Sequence, residues 1–262
     1  MSGGADSLAL LLLADAARCA VTAVHVDHCL RPGSGAEADL VARLAGDLGV
    51  AFRAERVTVA PGPNLEARAR AARFGVLPAD VLTGHTTDDQ AETVLLNLVR
   101  GAGLDGLAGM GPPGHPILGV RRAETRALVA AVGWTPFEDP TNSDAAFRRN
   151  RIRSEVLPLL DEVAQRDVTG VLARQAGILR DEAALLDALA GALDPADVRS
   201  LAAAPVALAR RAVRRWLTAG HDHPPSAAAV ERVLAVARGT CKATETDDGR
   251  RVWRSAGRLR LE

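Results

Sequence analysis

Apolar positions in the first half of the chain fall into short blocks, and the rhythm inside the blocks changes from one to the next. Residues 8–14 are continuously apolar and follow Asp6-Ser7, which predicts a buried helix starting at residue 6 or 7. Residues 20–27 (AVTAVHVD) are rich in β-branched side chains and predict a buried strand. Residues 36–48 return to helical spacing and stop at Gly49, 50–59 read as strand, 64–77 as helix, and 79–83 as another short strand. Alternating strands and helices imply a parallel sheet with helices on both faces, an α/β fold. In such sheets ligands sit beyond the C-terminal ends of the strands, where residues 2–7, His25-Val26-Asp27-His28 and Gly84-His85 all fall.

The segment 84–101 (GHTTDDQAETVLLNLVRG) is the richest in polar chemistry. Thr87 with Gln90 fits a capping box, and Ala91, Val94, Leu95, Leu98 and Val99 recur at helical spacing behind it. Asp88 and Glu92 are one turn apart, each seven residues before a member of that stripe, which puts both carboxylates on its core-facing side. Complementation of the helix dipole would also favour acids in a first turn. Residues 101–114 hold six glycines and two prolines and read as a long connection. Residues 122–132 predict a helix, and Asp139-Pro140-Thr141-Asn142-Ser143-Asp144 is dense turn chemistry. Arg148, Arg149, Arg151 and Arg153 then form a local cationic cluster suited to phosphates, although a solvated helix face is the ordinary reading of such a run.

Strand signals disappear after residue 157. Helical patterns cover about 159–190, 196–203, 205–219 and 226–238, and 240–262 alternate like a hairpin turning at Asp248-Gly249. The change of composition divides the chain into an α/β domain, 1–155, and a smaller helix-rich part, 156–262. In the helix over 205–219, Arg210, Arg211, Arg214 and Arg215 share the face opposite Val206, Ala209, Val213 and Trp216.

Composition narrows the chemistry. The 32 basic and 32 acidic residues balance, so nucleic acid would have to be held by local patches. Aromatic residues are 3% with no Tyr, which argues against an RNA surface of stacked aromatic platforms. Lys242 is the only lysine, which excludes a Walker-type phosphate loop. Cys19, Cys29 and Cys241 form no C-x-x-C pair, against a disulfide framework or a structural zinc site. The apolar run near the N-terminus is too short and too acidic in its flank for a secretory signal, so a soluble, cytoplasmic protein is expected.

The glycine loop itself admits two readings. Gly3-Gly4 followed by a helix can aim free amide N–H groups at a phosphate, with hydroxyls from Ser2 and Ser7 and with Asp6 placed to hold Mg²⁺. The same residues also suit a frayed terminus with Asp6 as a helix cap.

The ordered motifs choose between these. Ser2-Gly3-Gly4-Ala5-Asp6-Ser7 resembles the signature loop of PP-loop ATP pyrophosphatases, which cleave ATP between the α- and β-phosphates to adenylate an acceptor. The later motifs are His25-Val26-Asp27-His28 with Leu30-Arg31, Gly84-His85 with Asp88-Asp89-Gln90-Ala91-Glu92-Thr93, and Arg100-Gly101 with Gly106-Leu107-Ala108-Gly109-Met110. Asp139-Pro140-Thr141-Asn142 and Arg149-Asn150-Arg151-Ile152-Arg153 follow, and the whole set is similar to the tRNA(Ile)-lysidine synthetase family over residues 2 to about 160. Residues 200–262 more weakly resemble that family's small C-terminal substrate-binding domain, preceded by a helical connector.

The resemblance implies a fold of the adenine-nucleotide-hydrolase-like type, ATP and Mg²⁺ as cofactors, and free L-lysine and a CAU-anticodon isoleucine tRNA as partners; it also admits a homodimer. Residues 2–7 would bind ATP. His85, Asp88, Asp89, Gln90, Glu92, Asp139 and Asn142 become candidates for catalysis or lysine binding. Arg100, Arg148, Arg149, Asn150, Arg151 and Arg153 become candidates for tRNA or ATP phosphates, with the 210–215 arginine face as a second tRNA candidate. Three departures stand out. Family members carry an apolar strand just before the loop, where only Met1 stands here, which suggests a misassigned start. His115-Pro116-Ile117-Leu118 replaces an Arg-Pro-Leu-Leu-like stretch, and Cys29 replaces a glycine. A tRNA thiolation enzyme of the same superfamily is the alternative within enzymes, but its cysteine pairs are missing; an inactive nucleotide- or RNA-binding relative is the alternative outside them.

Overall fold

The structure is a computed structural model that describes the chain except residues 30–34, 60–61, 63–64, 139–140, 142–143 and 222–223. Helix α1 (Ala5–Ala16) follows the glycine loop directly and buries Leu8, Ala9 and Leu11. Strand β1 (Thr22–Asp27) pairs in parallel with β2 (Ala51–Arg56), from Thr22↔Ala51 to Asp27↔Arg56. The crossover between them is helix α2 (Gly35–Asp47), whose Val41 and Ala45 pack with Ala23 and Leu11. This is the expected parallel βαβ unit: β1 is buried along its C-terminal half, while β2 is mostly exposed. Leu8, Ala9 and Leu44 join Val129 of helix α6 (Arg122–Ala131) in a second apolar cluster.

Met1 occupies the other edge of β1. Its amino group donates to the Val24 carbonyl, and its carbonyl meets His25 Nδ1 at 2.9 Å. The amine is buried and its pKa is lowered to about 6, first by that burial and then by the charge of Arg73.

After helix α3 (Leu65–Val76), the strand expected over 79–83 does not form. Val81, Leu82 and Thr83 have strand-like composition, but no strand lies beside them among the described residues; Thr83 N donates instead to Gly114 O at 2.8 Å. Helix α4 (Thr87–Val99) begins one residue earlier than the predicted capping box implies. Thr86 is the N-cap and Asp89 its reciprocal partner, because an N-cap must itself lie outside the helix and Thr86 is extended. A single-turn helix α5 (Leu104–Leu107) interrupts the long glycine-rich connection.

The arginine cluster forms α7 (Arg148–Arg151), which widens into a π-helical turn over Ile152–Val156 and continues as α8 (Leu157–Ala164). Pro158 explains the widening: it has no N–H for the Ser154 carbonyl and its ring crowds the preceding turn. The helix predicted over 159–190 is broken in two. Gln165 takes a left-handed conformation, φ 52°, and Asp161 Oδ1 accepts from Val168 N at 2.7 Å before helix α9 (Thr169–Gly191) begins. Leu157 and Val168 pack with Ala91 and Leu95 of α4.

Two compact units result, Met1–Arg180 and Asp181–Glu262. Residues 157–180 therefore group with the first unit, whereas composition changes near 156. The second unit holds α10 (Val198–Ala203), α11 (Val206–Thr218), α12 (Ala227–Arg238) and an antiparallel sheet, β3 (Ala243–Glu245), β4 (Arg251–Ser255) and β5 (Arg258–Leu261). A hairpin was expected over 240–262; the third strand follows a second tight turn at Ala256-Gly257, both with positive φ. Val213, Leu217, Val233, Leu234, Val252 and Leu259 form this unit's core. Ala212 and Leu217 take the buried side of α11, and Val206 is exposed.

Candidate functional site

The glycine loop is held shut by its own backbone. Gly3 has φ +71°, a conformation costly for any residue with a Cβ, and its carbonyl accepts from Phe137 N at 2.9 Å. Ser7 Oγ donates to Gly4 O at 2.9 Å, and Ser2 Oγ lies 3.4 Å from Ser7 Oγ. The turn runs straight into α1, whose first N–H groups, at Ala5, Asp6 and Ser7, have no partner within the helix. These amides and the two hydroxyls make an anion cradle at the positive end of a helix. Gly84 braces it from behind: a Cβ there would stand 2.6 Å from the Asp6 carbonyl oxygen.

Beside the cradle lies a network of alternating charge. Arg122, the first residue of α6, faces three carboxylates: Asp6 Oδ2 at 3.5 Å, Asp89 Oδ1 at 2.8 Å and Glu92 Oε1 at 3.1 Å. Glu92 is fully buried and faces three guanidiniums: Arg122, Arg153 Nε at 2.7 Å, and Arg149 Nε at 2.9 Å. The Arg149 contact is an ion pair without hydrogen-bond alignment; that side chain donates to Thr93 Oγ1 at 2.7 Å. Asp88 accepts from Arg121 Nε at 3.2 Å and from the Arg122 amide at 2.8 Å. Thr125 donates to Asp6. The loop, α4, α6 and the α7 turn are therefore tied by one continuous ionic chain.

The environment sets the charge states. Burial pushes the Asp6 carboxyl above its usual range, against the Thr125 hydrogen bond and the Arg122 charge. Burial also acts on Asp89, but Arg122 and two hydrogen bonds from Thr86 outweigh it and hold this carboxyl below the usual range. Arg122 is driven upward because Asp89, Glu92 and Asp6 together outweigh its own burial. His85 is lowered to about 4 by burial, so its ring is neutral at pH 7.

The expected site residues separate into distinct places. Ser2 to Ser7, Asp88, Asp89, Glu92, Arg149 and Arg153 come together at the cradle and its network. Gln90 is buried and clamps a loop instead: its Oε1 accepts from Met110 N at 2.8 Å and its Nε2 donates to Met110 O at 3.0 Å. Asn150 Nδ2 donates to Thr141 O and Asp144 O, both at 2.8 Å, and so orders the turn before α7. Arg151 turns outward to Glu155 at 2.8 Å, and Arg148 and Arg100 are exposed. Asp139 and Asn142 lie outside the described residues, as do Leu30 and Arg31. The α11 arginines are engaged within their own unit, Arg210 with Glu231 and Arg211 with Asp187, while Arg215 donates to the Asp187 carbonyl at 2.9 Å.

Sequence reasoning missed Arg121, Arg122, Thr125, Thr83 and His115. The Arg-Arg pair at the start of a predicted helix was the available signal, since cations oppose the dipole there and need a local anion. His25, His28 and Cys29 do not form a metal cluster, and no group of three potential ligands is found among the described residues. His25 is spent on Met1. Cys29 takes φ 52°, which is why a glycine suits its position.

Comparison with known proteins agrees with this geometry. A model of the PP-loop domain matches residues 1–160, and a model of the TilS substrate binding domain matches residues 197–260. The chain is 51% identical over 234 residues to the tRNA(Ile)-lysidine synthase of Nocardia farcinica, covering 83% of this chain and 74% of that one. It is 46% identical to the synthase of Rhodococcus erythropolis over 84% and 73% of the two chains, and 42% identical to that of Mycobacterium tuberculosis over 84% and 74%. Among solved structures, a U34-tRNA thiolase from Methanococcus maripaludis shares the fold, with a TM-score of 0.55 and 17% identity over 69% of this chain and 71% of that chain. The three cysteines here are exposed and unpaired, with no C-x-x-C spacing. The chain belongs to the tRNA(Ile)-lysidine synthase family.

Proposed function

We propose that the protein joins lysine to C2 of the wobble cytidine of a CAU-anticodon isoleucine tRNA, in two steps at the site described. ATP adenylates the C2 oxygen and pyrophosphate leaves. The side-chain amine of free L-lysine then attacks C2 and expels AMP. The observation that carries this reading is the amide cradle of residues 2–7 tied through Asp6 and Arg122 to α4 and α7, in a chain of this family.

Each part has work to do. The cradle's N–H groups and hydroxyls receive the departing pyrophosphate, so charge develops against fixed donors. Asp6 fits Mg²⁺ as a single carboxylate beside a phosphate cradle, the way this ion binds when substrate oxygens and water complete its shell; it would supply neutralising charge there. The lysine ammonium must lose a proton near an acceptor before it can attack. Asp88, Asp89 and Glu92 each already hold an arginine, Glu92 three of them. Asp89, whose charge reaches His85, is the carboxylate we assign to the ammonium, alongside its pairing with Arg122. Arg149 and Arg153 are aimed by Glu92, while exposed Arg100, Arg148 and Arg151 face outward for tRNA phosphates. The matched substrate-binding domain supplies a further tRNA surface. Among the described residues no helix is long and apolar enough to cross a membrane; a tRNA substrate would place the protein in the cytoplasm.

AMP release from ATP, measured with and without lysine and a CAU-anticodon tRNA transcript, tests the function. The reading requires both; release that depends on a sulfide donor would replace it with thiolation. Asp89→Asn should retain pyrophosphate release and lose lysine transfer.

A further inference from the structure

Behind the glycine loop lies a polar cluster that the ligation chemistry above does not use. Thr83 Oγ1 is 2.8 Å from His85 Nδ1 and 2.6 Å from His115 Nδ1, and the two ring nitrogens are 3.2 Å apart. The rings meet edge to face, with centroids 4.8 Å apart. Thr83 is fixed by its backbone, since its N donates to Gly114 O at 2.8 Å. Its neighbour Gly84 packs on the Asp6 carbonyl, so the cluster is braced directly against the cradle.

Counting hydrogens defines what such a cluster can do. The Thr83 hydroxyl also lies 3.2 Å from Gly114 O, which can take its hydrogen; when it donates to one ring instead, the other ring must carry its proton on Nδ1 and donate to Thr83. Two arrangements meet this condition, and they are mirror images. Each leaves one ring with a bare Nε2 and the other with a protonated Nε2. Passing from one to the other moves a proton from one end of the cluster to the other.

We propose that Thr83 joins His85 and His115 into a relay that carries away the proton lost by the attacking lysine, an inference that rests on the ligation reading. The ammonium N–H bond breaks and its proton goes to His85 Nε2, leaving the electron pair on the lysine nitrogen. The proton on His85 Nδ1 passes to Thr83 Oγ1, the Thr83 hydroxyl proton passes to His115 Nδ1, and His115 Nε2 gives its proton to water. Exchange of the ring protons with water restores the first arrangement between turnovers.

The charges around the relay suit transfer rather than storage. His85 faces Asp89, Arg149, Arg70 and His115, and His115 faces Arg70. Burial lowers both rings, so both are neutral at pH 7; such weakly basic rings take the ammonium proton only in passing, as the amine attacks. Asp89, the carboxylate assigned to the ammonium, is the acid whose charge reaches His85. Histidine at 115 is what completes the chain: an arginine there would offer donors only and could not accept from Thr83.

The test separates the two half-reactions. Adenylated tRNA is formed first, lysine is added, and the transfer rate is followed from pH 7 to 9 for wild type, Thr83→Val and His115→Gln. Transfer should fall roughly 10–100-fold more than adenylate formation in both variants. The deficit should shrink about tenfold per pH unit, as solvent supplies the free amine in place of the relay. Should Thr83→Val fail to fold, His115→Gln carries the same prediction. Transfer at the wild-type rate, or an equal fall in both half-reactions with no rescue by pH, would overturn the relay. A wild-type protein that transfers no lysine would instead remove the ligation reading.

Discussion

Glu92 has no access to water, and three guanidiniums surround it. Removing its charge strands those cations in a low-dielectric site, which costs far more than an exposed ion pair is worth. Glu92→Gln keeps the shape and should destabilise the first unit by about 3–5 kcal/mol in urea denaturation. By contrast, Arg151→Ala should leave the urea midpoint essentially unchanged, because both it and its partner Glu155 are exposed to solvent. His85 contributes a pH dependence of definite sign. Its folded pKa is lowered to about 4, below the unfolded value, so the unfolded chain binds more protons in between. Its contribution is complete above pH 6.5 and is lost as pH falls towards 4, by at most about 3 kcal/mol. Comparing wild type with His85→Asn at pH 7.5 and 4.5 measures it: the variant should lose less stability over that interval.

At the scale of elements, the approach of Gly84 to the Asp6 carbonyl controls the site. Gly84→Ala pushes a methyl into backbone that cannot move aside, so the cradle itself must shift. Pyrophosphate release should fall at least about tenfold, with a higher KM for ATP, while the melting of the second unit stays unchanged. Much of this arrangement was legible in the sequence. The helical spacing from Ala91 to Val99 and the βαβ alternation follow from local periodicity, whereas the glycine loop reads as a phosphate site only with the later motifs beside it. Three features were not legible, because they depend on partners far along the chain. The 79–83 segment has strand composition but no neighbouring strand among the described residues, and composition does not reveal the partner a ladder requires. The arginines at 149 and 153 look like those at 148 and 151 in sequence; only a buried carboxylate 57 and 61 residues earlier decides which turn inward. The shared role of Thr83 and His115 likewise depends on a contact across 32 residues.

On the scale of the whole molecule, balanced charge leaves tRNA binding to local groups. On the face of α11, Arg210 and Arg211 are paired with Glu231 and Asp187, which weakens the field that the sequence alone suggests. Outward-facing Arg148 is a better phosphate ligand. Arg148→Ala should weaken tRNA binding uniformly across tRNA sequences and reduce the magnitude of its salt-dependence slope by about 1. The two matched domains fall in the two compact units, one carrying the glycine-loop cradle and the other the stretch that matches the substrate-binding domain. The central claim is that this cradle activates a tRNA base for attack by lysine. Incubating the protein with ATP, radiolabelled lysine and a CAU-anticodon isoleucine tRNA, then mapping the label by nuclease digestion, tests that claim most directly. Label confined to the wobble cytidine, and absent when ATP is omitted, is the predicted result; a tRNA left unlabelled by lysine, or modified only when a sulfur donor is present, would contradict it.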